Sequence, residues 1–473
     1  MILALIVVPL IGALVAFLAP NDRARPWVVA FAAAVHTTIV AVVIATGESR
    51  AWTDWLRLDA LGRLVLIVVS LLFLVCAVYC IGYLRIRAER PNRVFCTSLL
   101  MFAATTTIVV LAQHLTIMWV AMEGTTLATA LLLYFNQNRR SLEATWKYLM
   151  IGSVGIALAL LGTLFLAYAA TIGLGEPVLL FSVLVRRAPA LSAPWLRAAF
   201  VFLFVGYGTK MGLAPMHTWK PDAYGEAPGV VGALLAGGLT SCAFLALLRS
   251  FAIVNAAGQG EFARHLLIAA GLVSMGTAAA LMVGQRDFKR LLAYSSVEHM
   301  GILVLGIGIG GLATFGALLH IINNALTKAV LFLAAGNIHR AFNSKRIEDV
   351  TGAIRRLPVS GSLFLAGFFA ITGSPPFGPF VSELMILIGA VNAHRYVVAG
   401  TYLVLLVVVF IGMGQTVLAV VQGNPPEDDS GYRESLLKTL PIAASLAIVV
   451  MLGVWIPAPL ARMLREAAQL LGV

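Results

Sequence analysis

The stretch GYGTKMGLAPMHTWKPDAYGEAP, residues 206–228, decides the fold. It sets Lys210 in an apolar segment, surrounds it with Gly206, Gly208, Gly212 and Pro215, and runs on into a polar loop. A proline inside a helix lacks an N–H and clashes with the carbonyl four residues back, so Pro215 should free the carbonyl of Met211. The segment reads as an apolar helix broken beside a cation. At membrane depth such a break is tolerated where it is buried in protein or lines a hydrated cavity. A second apolar segment is interrupted in a comparable way, by Gly373, Pro375, Pro376, Gly378 and Pro379, with Glu383 just beyond. A pair of broken spans in the two halves of a chain points to a transporter built from inverted repeats.

The rest of the chain supplies the membrane that this reading needs. Of 473 residues, 60% are hydrophobic and 11% charged, against roughly 45–50% and 25% in soluble domains. With a ruler of about 20 apolar residues per span, the chain offers fourteen candidates, starting near 2, 27, 60, 95, 114, 147, 196, 228, 264, 291, 313, 361, 400 and 436. Their runs are continuous, without the alternation of barrel strands, so the expectation is an all-α polytopic membrane protein. The first run has no basic segment before it and no small-residue cleavage site after it, and it reads as a retained span. The loops between spans are too short to bury cores of their own, and the acidic stretch NPPEDDSGYRES at 424–435 reads as a solvated connector.

The net charge of +12 does not mark a nucleic-acid binder, because the basic residues sit in short loops rather than on one face. They serve topology instead. With the N-terminus outside, the clusters Arg85/Arg87/Arg90/Arg93 and Arg340/Lys345/Arg346/Arg355/Arg356 both fall inside. Cys76 and Cys80 have no neighbouring His or acid and read as packed or lipid-facing thiols. The four cysteines form no iron–sulfur ligand set, so no cofactor or metal is expected here and any electron transfer belongs to another subunit. Gly306, Gly308 and Gly311 fit G-x-G-x-x-G, but they lie inside an apolar run where glycine serves close helix contact.

Four ionisable groups look deep: Glu123, Lys210, Lys328 and Glu383. At about 2.5–3.5 kcal/mol each they would cost about 10–14 kcal/mol if left alone, as much as a whole fold's net stability. They must be paired, hydrated or neutralised, and each solution turns them toward the bundle interior. His320, Asn324 and Lys328 are four apart, which makes one polar stripe about 12 Å long suited to a proton or water wire. A carboxylate favours the charged form of a buried lysine, so movement of Glu123 relative to Lys210 would switch the lysine between holding and releasing a proton. Glu298, His299 and His217 are candidate wire members. His36 and His114 read as interfacial.

TKMGLAPMHTWKPDAYGEAP, DFKRLLAYSSVEHMG, HIINNALTKAVLF and PPFGPFVSELMIL occur in this order. Together they resemble the antiporter-like membrane subunits shared by respiratory complex I, multisubunit Mrp-type cation/proton antiporters and membrane-bound NiFe hydrogenases. Within that family the chain is most similar to the F component of hydrogenase-4 and formate hydrogenlyase-type complexes. The resemblance spans about residues 95–420. It implies fourteen helices, with discontinuous seventh and twelfth helices and two inverted five-helix repeats at 95–250 and 264–421. Three helices in 1–94 precede the repeats, and a last helix and tail in 436–473 follow them. It implies proton translocation driven by a redox arm on partner subunits, in the cytoplasmic membrane of a bacterium or archaeon, with Na⁺ as the alternative ion.

By the same resemblance Glu123 and Lys210 are the paired acid and lysine of the first half, Lys328 the central lysine, Glu383 the terminal residue toward the exit and His320 a wire histidine. Asn324 stands where many members carry a second histidine. Ala236 and Ser241 occupy positions where relatives have His or Lys, although hydrogenase-type members often lack that lysine. Lys220, Tyr224 and Gly229 replace the usual Leu, His and Pro or small residue. A complex I-like quinone oxidoreductase subunit, an Mrp-type Na⁺/H⁺ antiporter subunit and a membrane subunit that no longer conducts are the competing readings.

Overall fold

The computed structural model describes residues 1–47, 52–426 and 431–472. Each apolar run is helical, as backbone self-sufficiency in lipid requires. The first six spans are α1 (Ile2–Leu18), α2 (Arg25–Thr46), α3 (Ala60–Arg85), α4 (Arg93–Leu111), α5 (Leu115–Leu133) and α6 (Arg139–Leu174). The seventh is split into α7a (Ala193–Met211) and α7b (Trp219–Glu226). Then come α8 (229–254), α9 (Gly260–Met282), α10 (Phe288–Ile309) and α11 (Leu312–Phe342). The twelfth span is split into α12a (Pro358–Ile371) and α12b (Gly378–Asn392), and α13 (Tyr396–Val421) and α14 (Leu436–Val454) complete the set. With each split helix taken as one span, the described residues make fourteen. A further amphipathic helix, α15 (Ala458–Leu470), occupies what the sequence reading treats as a tail. Its Glu466 pairs with Arg63 of α3 at 2.7 Å.

Burial separates an axis from a wall. α8, α10 and α11 are buried along nearly their whole length, whereas α1, α2, α6, α13 and α14 carry exposed apolar side chains such as Phe31 and Val397. Small residues bring the axis helices close. A Cβ on Gly306 would stand 2.8 Å from that of Ala317, and one on Gly308 would stand 2.8 Å from Ile268, so the G-x-G-x-x-G stretch is a packing seam. α6 and α7a mesh in the same manner, with Gly155 against Thr209 and Gly162 against Leu203. That seam seats the end of α7a, and therefore Lys210, directly on α6.

Both breaks start upstream of the prolines that signal them. α7a stops because Gly212 takes the left-handed conformation (φ 74°), and the N–H groups of Gly212 and Leu213 both return to the carbonyl of Gly208 at 2.8 and 2.9 Å. Glycine adopts that conformation without a Cβ penalty. The helix has ended before Pro215 is reached, so Pro215 prevents a restart rather than breaking a running ladder. α12a ends likewise, with Gly373 at φ 67° and the N–H of Ser374 on the carbonyl of Phe369 at 3.0 Å. His36 corrects another expectation. It is buried within α2, 3.0 Å from the Ser70 hydroxyl and 3.2 Å from that of Thr107, because a helix through this part of the bundle offers it two hydroxyl partners that an interfacial position would lack. Cys76 and Cys80 are buried on α3, as packed thiols.

Candidate functional site

The first group of polar side chains is built where α5, α6 and α7a meet. Lys210 is buried in the last turn of α7a, where the helix C-terminus favours a cation. Its Nζ donates a hydrogen bond to the Thr126 hydroxyl. Thr126 in turn donates to Glu123 Oε2 at 3.0 Å, one helical turn back on α5. The acid and the lysine expected to pair are thus linked through a hydroxyl. Gly152 on α6 leaves the space for the ammonium, since a Cβ there would lie 3.2 Å from Nζ. The Tyr148 ring lies 5.3 Å from Nζ, and its hydroxyl is 2.6 Å from that of Thr129.

The second group runs through the middle of α10 and α11 to the start of α12b. Lys328, fully buried, donates to the Ser295 hydroxyl at 2.7 Å and approaches the carbonyl of Leu292 at 3.5 Å. Glu298, one turn along α10 from Ser295, is buried within electrostatic reach of Lys328, and its Oε2 has no hydrogen-bond partner. It lies 3.8 Å from His299 Nε2. His299 Nδ1 meets His320 Nε2 at 2.9 Å, and His320 Nδ1 meets the Ser382 hydroxyl at 2.8 Å. Ser382 donates to the carbonyl of Pro379 at 3.0 Å and accepts from Asn323 Nδ2 at 3.3 Å. That leaves His320 to donate from Nδ1, which leaves its Nε2 to accept from His299 Nδ1. With the tautomers so assigned from the network, a proton arriving at His299 Nε2 has an unbroken hydrogen-bonded course to Ser382.

Glu383 follows Ser382 at the start of α12b, buried, with Oε1 unpartnered. Gly373 in the break leaves the space that its carboxylate fills. One ligand atom each from His299, His320 and Glu383 lies within 4.8 Å of the others. This is a donor set in principle, but both nitrogens of His320 and one of His299 are engaged in the hydrogen-bonded chain, which is relay geometry rather than a cage.

Two other expected members stand apart from these chains. His217 lies in the first break with its ring centroid 6.5 Å from that of Tyr294 and with Nδ1 unpartnered. Asn324 is buried on the expected stripe, yet its Oδ1 has no partner, and its neighbour Asn323 makes the contact with Ser382. Thr126, Ser295, Ser382 and Asn323 escape the sequence reading because hydroxyls and amides in apolar helices so commonly bond their own backbone. Ser382, four residues after Gly378 opens α12b, carries the strongest positional hint.

A polar cavity of about 940 Å³ opens at the end of the bundle where α7b finishes. Arg87, Arg90, Arg340, Lys345 and Arg346 line it, so residues of the two basic clusters come together at one end. Lys345 holds Glu226 at 2.6 Å and Asp287 at 3.5 Å, and Arg290 holds Asp222 at 2.5 Å. These pairs tie α7b to α10. Elsewhere, buried Arg249 of α8 grips Asp59 through two hydrogen bonds of 3.0 and 3.1 Å and also donates to the carbonyls of Val110 and Ala112, a clamp between the ends of α3, α4 and α8.

The family described as "NADH:quinone oxidoreductase/Mrp antiporter, TM" matches residues 112–412. The chain belongs to that family. It is 39% identical over 353 residues to the hydrogenase-4 component F homolog of Methylacidiphilum infernorum, covering 73% of this chain and 72% of that protein. It is 33% identical over 356 residues to NADH-quinone oxidoreductase subunit N of Desulforudis audaxviator, covering 74% and 70%. A subunit of the archaeal membrane-bound sulfane sulfur reductase shares the fold over 100% of this chain and 98% of its own, with a TM-score of 0.88 at 19% identity. A chain of the Mrp complex from Dietzia does so at 0.88 and 19%, covering 99% and 96%. The chain is therefore an antiporter-like, polytopic membrane subunit of the hydrogenase-4, complex I and Mrp kind, and the two structural neighbours are each part of a multisubunit membrane complex.

Proposed function

We propose that this chain translocates protons within a redox-driven complex of the hydrogenase-4 type, in the cytoplasmic membrane of a prokaryote, with the redox centres on a peripheral arm of partner subunits. The observation that carries the reading is the linkage of Lys210, through Thr126, to Glu123, in an interior where an isolated charge is costly. In this reading residues 95–250 and 264–421 are the two repeats, flanked by 1–94 and 436–473. Glu123 and Lys210 load a proton in the first, and His217 in the break is a wire member. Lys328, Glu298, His299 and His320 pass a proton toward Glu383, and Asn324 completes the stripe on α11.

The physical cycle needs only charge and distance. A carboxylate drawn toward Lys210 holds the ammonium charged, and one drawn away leaves it free to give up the proton. Partner subunits moved by the redox reaction would supply that displacement. The test is redox-driven proton uptake in inside-out vesicles carrying the assembled complex. Lys210→Ala and Glu123→Ala should each abolish uptake while the complex still assembles, and normal uptake in either would defeat the role. The 33% identity to a quinone oxidoreductase subunit supports the second reading, a complex I-like pump. Co-purification decides between them: a NiFe-binding subunit supports the first, and NADH-oxidising subunits the second. Na⁺-stimulated proton flux would instead favour the Mrp-like exchange of Na⁺ for H⁺.

A further inference from the structure

One buried cation has no part in the scheme above. Lys220 of α7b is fully buried, and its ammonium has three donors. Its described hydrogen bond is a long one, 3.4 Å to the carbonyl of Ser296 on α10, and the Tyr224 ring centroid lies 5.9 Å away. No carboxylate lies within ion-pair distance among the described residues. A lysine that serves as a fixed clamp looks different. Lys289, buried close by, donates to the carbonyls of Gly225 and Ala227 at 3.0 and 2.6 Å and ties down the end of α7b. Lys220 holds nothing together in this way, and a group so thinly satisfied gains little from keeping its charge.

Its location lies between the two relays. Ser296, whose carbonyl it approaches, adjoins Ser295, the hydroxyl that receives Lys328 at 2.7 Å. Lys220 is within electrostatic reach of both Lys328 and His299. On its other side α7b leans on the Lys210 site. The Tyr148 ring that faces Lys210 lies 5.1 Å from that of Trp219, the Trp219 indole donates to the carbonyl of Thr209 at 2.9 Å, and Trp219 lies 5.9 Å from Tyr224. Gly212 makes the placement possible, because a Cβ there would collide with the Lys220 stem. α8, the helix that continues from α7b, carries no acid, histidine or lysine between residues 229 and 248. Its Ser241 hydroxyl is taken by the carbonyl of Gly237 at 2.5 Å.

We propose that Lys220 is the proton carrier joining the two relays, its neutral amine taking a proton given up on the Lys210 side and its ammonium passing that proton on to Lys328. The step conserves charge and needs no co-reactant. Two ammonium groups in mutual reach repel, so the Lys220–Lys328 pair holds one proton more readily than two, and loading one end favours release at the other. This inference rests on the translocation reading above and adds to it the residue that couples its halves.

The experiment compares Lys220→Met, Lys220→Arg and Lys220→His in the assembled complex. The readout is protons taken up per electron in inside-out vesicles, with H₂, formate and NADH tried in turn as donor and the Lys210→Ala and Lys328→Ala complexes run alongside. Arginine keeps the cation but does not release its proton. Met and Arg should therefore both lower the ratio about tenfold, whereas His, which titrates near neutrality, should keep most of it. A normal ratio in the Met variant, or rescue by Arg, overturns the proposal, the latter showing that only a fixed charge is needed. Should the Met complex not assemble, the Arg and His pair decides, since both keep a polar head. Normal pumping in Lys210→Ala and Lys328→Ala would sink the translocation reading itself. Loss in those two with normal pumping in the Lys220 variants sinks only the coupling role.

Discussion

The two halves of this chain place a buried lysine beside a broken helix in different ways. In the first half the lysine sits at the break itself, at the end of α7a, and reaches one acid through one hydroxyl. In the second the lysine is mid-helix on α11, the acid Glu383 is at the break, and the space between them is filled by Ser295, Glu298, His299, His320 and Ser382. A short link of lysine, hydroxyl and acid is a place to trap or free a proton by a small displacement. A line of hydrogen bonds between imidazoles is a place to hand one along. The contrast suggests a loading site followed by a conductor, and that order makes claims that can be broken.

The largest claim is that the halves act in series. If so, Lys328→Ala abolishes redox-driven uptake as fully as Lys210→Ala does, and the double substitution adds nothing. If each half is a separate pump, each single substitution leaves about half of the uptake, because nothing downstream depends on the other. Vesicle uptake per electron, normalised to assembled complex, separates the two.

The next claim concerns stability. The first half depends on the tight α6–α7a seam, where a Cβ on Gly206 would stand 2.5 Å from the backbone nitrogen of Ala159. Backbone cannot step aside as a side-chain end can. Gly206→Val should destabilise the subunit by about 1–3 kcal/mol and lower the melting temperature of the complex in detergent. Gly276→Ala on α9, where a Cβ meets nothing within 4 Å, is the matched control and should leave the melting temperature in place.

Much of this was legible beforehand, and the remainder was hidden for a physical reason. A charge in an apolar run stands out because lipid makes it costly, so Glu123, Lys210, Lys328 and Glu383 could be picked from the chain, as could the fourteen spans and the two interruptions. The hydroxyls that connect the charges cost almost nothing anywhere in a helix, since a serine or threonine can always bond the carbonyl one turn back. Thr126 therefore looks like Thr125 or Thr129 in the sequence, and only the fold reveals which faces the lysine. Pro215 announces the break, whereas Gly212, the residue that ends α7a, is one among forty-three glycines and does not stand out. The register of α7b escaped too, and with it the burial of Lys220 in what reads as a polar loop.

A hydroxyl link should show smaller effects than the charges it joins. Thr126→Val keeps the shape and removes the bridge between Lys210 and Glu123. At about 1 kcal/mol for a lost hydrogen bond and about 1.4 kcal/mol per tenfold, uptake should fall about fivefold. Ser295→Ala should do the same to Lys328. Equal losses would mean that the halves are alike in their dependence on hydroxyls. A loss confined to Thr126→Val would locate the displacement-sensitive step in the first half.

The smallest effect distinguishes two adjacent residues and sharpens the picture of the conductor. Asn324 lies on the stripe with His320 and Lys328, whereas Asn323 is a quarter-turn away and donates to Ser382 at 3.3 Å. If the conductor is the stripe on α11, Asn324→Ala should slow uptake more. If it is the hydrogen-bonded line crossing from α10 through α11 to α12b, the order reverses. Asn323→Ala removes a donor that orients the Ser382 hydroxyl, at about 1 kcal/mol and so about a fivefold loss. The oxygens of both amides are unpartnered, but Asn324 lacks the donation to Ser382 that Asn323 makes, so Asn324→Ala should change the rate by less than about twofold. The crossing line requires the larger loss at Asn323, because a proton leaving His320 Nδ1 has to find the Ser382 oxygen where Asn323 holds it.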